Sequence, residues 1–140
     1  MFTAALDLPA LLQEAPANGQ GVAPDIGHIH LMTADVQDSL AFWRDTVGLD
    51  ERQRFGPSAV FLAEGLYHHH IGANSWHSEG AGPAPSDRPG LDSFELRLRD
   101  HSAVEGAAHR LEQEGVTVER EEGITAFRDL DGNRVLLTVR

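Results

Sequence analysis

The sequence predicts an α+β protein built from two βαβββ modules, and three observations carry the prediction. Strand-length and helix-length apolar patterns follow one another in the order β-α-β-β-β, and that order occurs twice. Sliding the second half back by 65 residues lays Ser93 on His28, Glu95 on His30 and Asp100 on Asp35, as an internal repeat would. Between the halves lies HSEGAGPAPSDRPG, a stretch rich in Gly, Pro and Ser, the composition of a loop rather than of a core element. The expected boundaries are residues 25–78 for module one and 90–140 for module two, in a single domain over 25–140. Residues 1–24 form an N-terminal appendage and linker.

In the appendage, DLPALLQEA can make a short helix with Leu8, Leu11 and Leu12 on one side, followed by the linker PANGQGVAP. Ile26 to Thr33 reads as a strand, with Ile29 and Leu31 on one face and His28 and His30 on the other. Asp35 is placed to cap a helix in which Val36, Leu40, Trp43 and Val47 recur at helical spacing, and Gly48 stops it. Strands are expected at ERQRF, AVFLA and YHHHIGA, with turns at GPS and EGL. Module two repeats the grammar. LDSFELRL is its first strand, and Asp100 caps a helix whose stripe is Val104, Ala107, Ala108 and Leu111, ended by Gly115. VTVERE, ITAFRD and RVLLTV are its remaining strands. DLDGN is a turn, because the further carboxylates of a calcium loop are missing from their required spacing.

At 140 residues the chain suits one domain, and 41% apolar with 24% charged residues is ordinary for a globular protein. Its apolar runs are too short for a membrane-spanning helix, so no membrane partner is expected. Asp7 within the first apolar stretch, with no basic residue before it, argues against a signal peptide. A formal net charge of −11 repels a phosphate backbone and sets nucleic acid aside as a partner. The chain has no cysteine, which removes disulfides, thiolate ligands and cysteine nucleophiles and makes a reducing cytoplasm the expected location. Any metal must be held by His, Asp or Glu. There is no phosphate loop, nucleotide fingerprint or GxSxG.

The segments IGHIHLMTADVQDSLAFWRDTVGL, YHHHIGANSW and RDLDGNRVLL resemble the vicinal oxygen chelate superfamily of glyoxalases, bleomycin-resistance proteins and extradiol dioxygenases. The likeness runs from Ile26 to Arg140, and YHHHIGANSW with its following Gly/Pro loop is most similar to the C-terminal domain of catechol-type extradiol dioxygenases. The resemblance implies that the paired modules form a curled mixed sheet around a cavity. It also implies metal ligands on the first and last strands of each module. Those positions are occupied here by His28, His70, Ser93 and Leu136. Two are competent ligands and two are not, since neither serine nor leucine completes the usual His-His-Glu set.

Strand alternation supplies substitutes. Glu95 is two residues beyond Ser93, His30 two beyond His28, and His68 two before His70, so each shares a face with its neighbour in register. The expected metal set is therefore His28, His70 and Glu95, holding a divalent Fe, Zn, Ni or Mn ion, with His30 and His68 as acid/base groups. The alternative for His28 and His70 is a cavity-lining pair bonded to each other or to water. The alternative for Glu95 is pairing with Arg97 or Arg134, or exposure to solvent. His69 is expected on the opposite side of the sheet. Phe61, Tyr67, Asn74 and Trp76 have the types of a pocket for a flat ligand, and equally those of core or rim packing.

The resemblance thus implies a metal-dependent, ring-cleavage-dioxygenase-like enzyme acting on a small oxygen-chelating substrate. Its alternative is a metal-free module that sequesters a drug-like or aromatic molecule, as bleomycin-binding members do. A homodimer is expected under either, because members of this size commonly pair.

Overall fold

The structure is a computed structural model that describes residues 26–140 apart from 86, 88 and 122, together with Pro9 and Gln13. The short helix expected around Leu8, Leu11 and Leu12 lies outside the described residues. Module one consists of β1 (Ile29–Met32), α1 (Val36–Ala41), a π-helical continuation (Phe42–Val47), β2 (Asp50–Phe55), β3 (Ala59–Ala63) and β4 (Ile71–Asn74). Module two consists of β5 (Ser93–Leu98), α2 (His101–Gln113), β6 (Glu119–Glu121), β7 (Ile124–Arg128) and β8 (Arg134–Val139).

Each module makes its own four-stranded sheet, in the orders β1-β4-β3-β2 and β5-β8-β7-β6. The first and last strands of each module run parallel and the other pairs antiparallel. The repeat read from the sequence is therefore a repeat of topology, and no closed barrel forms among the described residues.

Both helices start where a side chain satisfies otherwise unpaired amide groups. The Asp35 carboxylate accepts from the amides of Gln37 and Asp38, and Asp100 accepts from Ala103 at 2.8 Å. The first helix departs from the single α-helix expected over its apolar stripe. From Phe42 it widens into a π-helical turn, and residues four apart then line up more nearly along one side. Phe42, Trp43, Thr46 and Val47 are all buried. Gly48 ends the segment at a φ of 101°, and Arg110 of α2 donates to the carbonyls of Thr46 and Val47, satisfying acceptors the helix end leaves open.

One continuous core unites the modules. Leu31, Val60, Leu62, Ile71 and Ala73 face it from the first sheet, and Leu96, Leu98, Phe127, Val135 and Leu137 face it from the second. Trp43, 1% exposed, lies between, with its ring centroid 6.3 Å from those of both Phe94 and Phe127. Each Val, Leu, Ile or Phe among them contributes about 1.5–3 kcal/mol on burial, and both sheets bury such residues in the same core. A hydrogen bond from the Ala34 amide to Asp131 Oδ1 and one from the Arg140 amide to the Leu98 carbonyl pin the ends. DLDGN is the turn expected: Asp129 accepts from the amides of Asp131 and Asn133, and Gly132 takes a φ of 88°.

Because helices cover one side of each sheet, the alternate residues face away from them. On β1 these are His30 and Met32, and on β4 they are Gly72 and Asn74. His28, His30 and His69 meet on that side.

Candidate metal centre

His30 lies on β1, where alternation puts it on the side away from α1, and His28 lies just before the strand with its ring centroid 5.4 Å from that of His30. The third partner is His69. One ring nitrogen of each lies within 4.8 Å of the others, the one such group of three His, Asp or Glu donors among the described residues. His30 Nε2 and His69 Nε2 are 3.2 Å apart, and the His28 and His69 ring centroids are 4.4 Å apart.

His69 was expected on the opposite side, and the structure corrects this. The strand expected over YHHHIGA begins only at Ile71, so residues 64–70 form an irregular connection and period-two alternation does not govern them. Gly65, with a φ of 67°, helps turn the chain there. His69 is buried and packs edge-on against Phe61, itself 6% exposed, at 5.0 Å between ring centroids. Phe61 also meets the ring of His30 at 5.8 Å, so this expected pocket residue forms the apolar floor of the cluster.

Gly72 makes the room. It pairs with His30 in the β1–β4 ladder, and a Cβ there would meet three atoms of the His30 ring at 3.1–3.2 Å. The imidazole lies flat over the strand because the neighbouring residue has no side chain. Spacing around a pair of histidines shows His28 and His30 from sequence; a glycine opposite one of them in register is a signal for the cleft that only pairing knowledge makes readable.

Electrostatics favour the neutral form of His69 and of His30. Burial first, then positive charge on His28, His68, His30 and His70, pushes His69 down to about 4. Burial and then His28 push His30 down as well. Near pH 7 both offer lone pairs, which is the state a metal ligand needs. A metal ion bonded to two imidazoles at about 2.0–2.1 Å sets their nitrogens about 2.9–3.4 Å apart, and the His30–His69 spacing of 3.2 Å falls within that range. His28 is exposed and its ring can rotate toward the pair. The donor set therefore fits a divalent ion, with three imidazole nitrogens and open positions beyond them.

The other expected residues stand apart from this trio to different degrees. His68 is exposed at its rim, with its ring 4.6 Å from that of His69 and 5.6 Å from that of His28. His70, expected beside His28, faces elsewhere. Its Nδ1 accepts from the Glu64 amide at 3.1 Å and its Nε2 is 3.1 Å from Arg140 Nη2. Glu95 is drawn to Arg97 Nε at 3.2 Å and to the Thr138 hydroxyl, which hold its carboxyl below the usual range. Ser93 and Leu136 lie on the same second sheet, with Leu136 beside Glu95 in register.

Tyr67 stacks on His70 at 4.7 Å and leans on His68 at 4.3 Å. Asn74 is buried and donates to the Leu31 carbonyl across the β1–β4 pair, a fold-holding contact. Trp76 is half exposed and donates to Ser58 Oγ. Two clefts of about 360 and 400 Å³ open along β6–β8, both lined by Glu119 and Arg134, and neither is lined by a histidine. Among the described residues no helix is long and apolar enough to cross a membrane.

Comparison with known proteins agrees with the fold. Residues 25–137 match the family model described as the Glyoxalase/Bleomycin resistance protein/Dioxygenase superfamily. The chain is 35% identical over 133 residues to a catechol-2,3-dioxygenase of Bacillus subtilis (strain 168), covering 92% of this chain and 47% of that protein. It is 31% identical over 93 residues to a manganese-dependent 2,3-dihydroxybiphenyl 1,2-dioxygenase of Geobacillus genomosp. 3, covering 66% of this chain and 27% of that protein. The chain thus spans less than half the length of these curated relatives. Of solved structures, a lactoylglutathione lyase from Agrobacterium tumefaciens superposes with a TM-score of 0.58 at 21% identity, covering 82% of this chain and 92% of that one, a likeness of fold.

Proposed function

The chain belongs to the Glyoxalase/Bleomycin resistance protein/Dioxygenase superfamily, and from that premise we propose that it is a metal-dependent, dioxygenase-like enzyme acting on a small molecule with two adjacent oxygens. The observation that carries this reading is the meeting of three imidazoles, His28, His30 and His69, on the helix-free side of the first sheet. The relatives' names supply the substrate class: one is a catechol dioxygenase and the other a manganese-dependent dihydroxybiphenyl dioxygenase.

In this reading His28, His30 and His69 hold the ion, which when bound supplies Lewis acidity toward the substrate oxygens. His30 moves from the acid/base role expected of it to a ligand role, because its Nε2 faces that of His69. His68 keeps the proton-transfer role. Exposed at the rim, it can take a proton from a substrate hydroxyl and return it to water. Phe61 presents an apolar wall beneath the rings, and Tyr67 an exposed aromatic face beside His68 on which a flat substrate can rest. A cytoplasmic homodimer completes the proposal.

The test uses protein without a histidine tag, stripped by chelator and reloaded with Mn(II) or Fe(II). The expected outcome is about one ion per chain and dioxygen uptake on adding catechol. Metal bound without dioxygen uptake would move the reaction to the non-oxidative members of the superfamily. Failure to bind either ion would leave a small-molecule binding module instead.

A further inference from the structure

We propose that Glu64 and His70, tied to Arg140 of the second module, are positioning residues that set His69 in the metal centre; the inference rests on the metal-centre reading above. Residues 64–70 join β3 to β4 without strand structure, so the position of His69 depends on fasteners rather than on a ladder. Three hydrogen bonds converge on His70. Its amide donates to the Leu62 carbonyl at 2.8 Å, its carbonyl accepts from the Ile29 amide at 2.9 Å, and its Nδ1 accepts from the Glu64 amide at 3.1 Å. The side-chain bond closes the connection on itself, end to end. His69 is the residue immediately before this knot.

The knot is anchored from the other module. Glu64 Oε1 accepts from the Arg99 amide at 3.4 Å, just beyond β5. Glu64 Oε2 is buried, lacks a hydrogen-bond partner and lies 3.7 Å from Arg140 Nη2, just beyond β8. A neutral imidazole accepts at one nitrogen only, and the Glu64 amide engages Nδ1. The Arg140 guanidinium is thus held beside the ring chiefly by the charge of the Glu64 carboxylate, an attraction strengthened by that oxygen's burial. Tyr67 covers the other side of the ring at 4.7 Å. The second module carries none of the three converging donors, yet through Arg99 and Arg140 it grips the segment that delivers one of them.

Two substitutions at position 70 separate positioning from ligation. His70→Leu removes the acceptor for the Glu64 amide, whereas His70→Asn places an amide oxygen close to where Nδ1 was. Removing a hydrogen bond that orients a ligand lowers metal affinity by about 10–100-fold. Calorimetric titration of tag-free, chelator-stripped protein with Mn(II) should show His70→Leu weakened at least about 10-fold and His70→Asn restored to within about threefold of wild type. The Co(II) absorption spectrum of His70→Asn should match that of wild type. Arg140→Met alters an exposed group, and should weaken Mn(II) binding several-fold; it decides the matter if His70→Leu does not fold. Wild-type affinity in both His70→Leu and Arg140→Met overturns the inference while leaving the metal centre standing. Equal, near-complete loss in His70→Leu and His70→Asn also overturns it, by making His70 a ligand. If wild type takes up no Mn(II) and no Co(II), the metal-centre reading itself falls and the inference with it.

Discussion

At one register position the two modules make opposite choices. In the first, Gly72 of β4 stands beside His30 of β1, and in the second, Leu136 of β8 stands beside Glu95 of β5. The glycine leaves space for an imidazole to lie over the sheet; the leucine fills the equivalent space, and its neighbouring carboxylate turns to Arg97 and Thr138. The helix-facing residues show no such divergence, since both modules send apolar side chains into the same core. Topology is constrained by a shared core, so it survives in both halves. The opposite faces are free to differ, and only one of them gathers histidines.

The most severe way to break the contrast is to give module one the residue of module two. Gly72→Leu should drive the His30 ring off the strand and weaken Mn(II) binding by more than about 100-fold, read by titration. Gly72→Ala is the milder version, costing about 10-fold while circular dichroism stays that of wild type, because an exposed ring needs to give by only a few tenths of an ångström. Unchanged affinity in both would show that the space beside His30 has no part in the site.

A smaller effect should appear in the metal-free protein as the pH falls. His69 is held at about 4, while an imidazole in the unfolded chain titrates near 6.5. Between these values the unfolded state binds more protons, so stability is full above about pH 6.5 and declines as the pH drops toward 4. The span of the shift sets an upper bound of roughly 3 kcal/mol. Urea midpoints at pH 7 and pH 5 should therefore differ more for wild type than for His69→Gln, which has no imidazole to protonate. Equal differences would mean that His69 is not buried as a neutral ring. The smallest effect belongs to module two: Glu95→Gln should alter Mn(II) affinity by less than about twofold, since its carboxylate is engaged by Arg97 and Thr138.

The architecture was legible because its signals are periodic. The stripes of Val36–Val47 and Val104–Leu111, the caps Asp35 and Asp100, and the 65-residue offset all depend on spacing that a single chain displays. The π-helical widening at Phe42 was hidden, as this segment packs Phe42 and Trp43 against Phe94 and Phe127 of the second sheet, a contact far apart in sequence. In the site, His30 was readable by alternation along a true strand, and His28 lies just before that strand. His69 was not, because the rule that placed it on the far side holds only inside a strand, and the strand starts two residues later. His70 was expected as a ligand from the resemblance, yet its ring is taken by the Glu64 amide, a contact within an irregular connection that no periodicity predicts.

The central claim is that His28, His30 and His69 form a metal centre, and its most direct test is Co(II) uptake followed by visible absorption in tag-free wild type, His69→Ala and Glu95→Ala. The account predicts one equivalent bound by wild type and by Glu95→Ala, with uptake lost in His69→Ala. Uptake retained in His69→Ala, or lost only in Glu95→Ala, would contradict it.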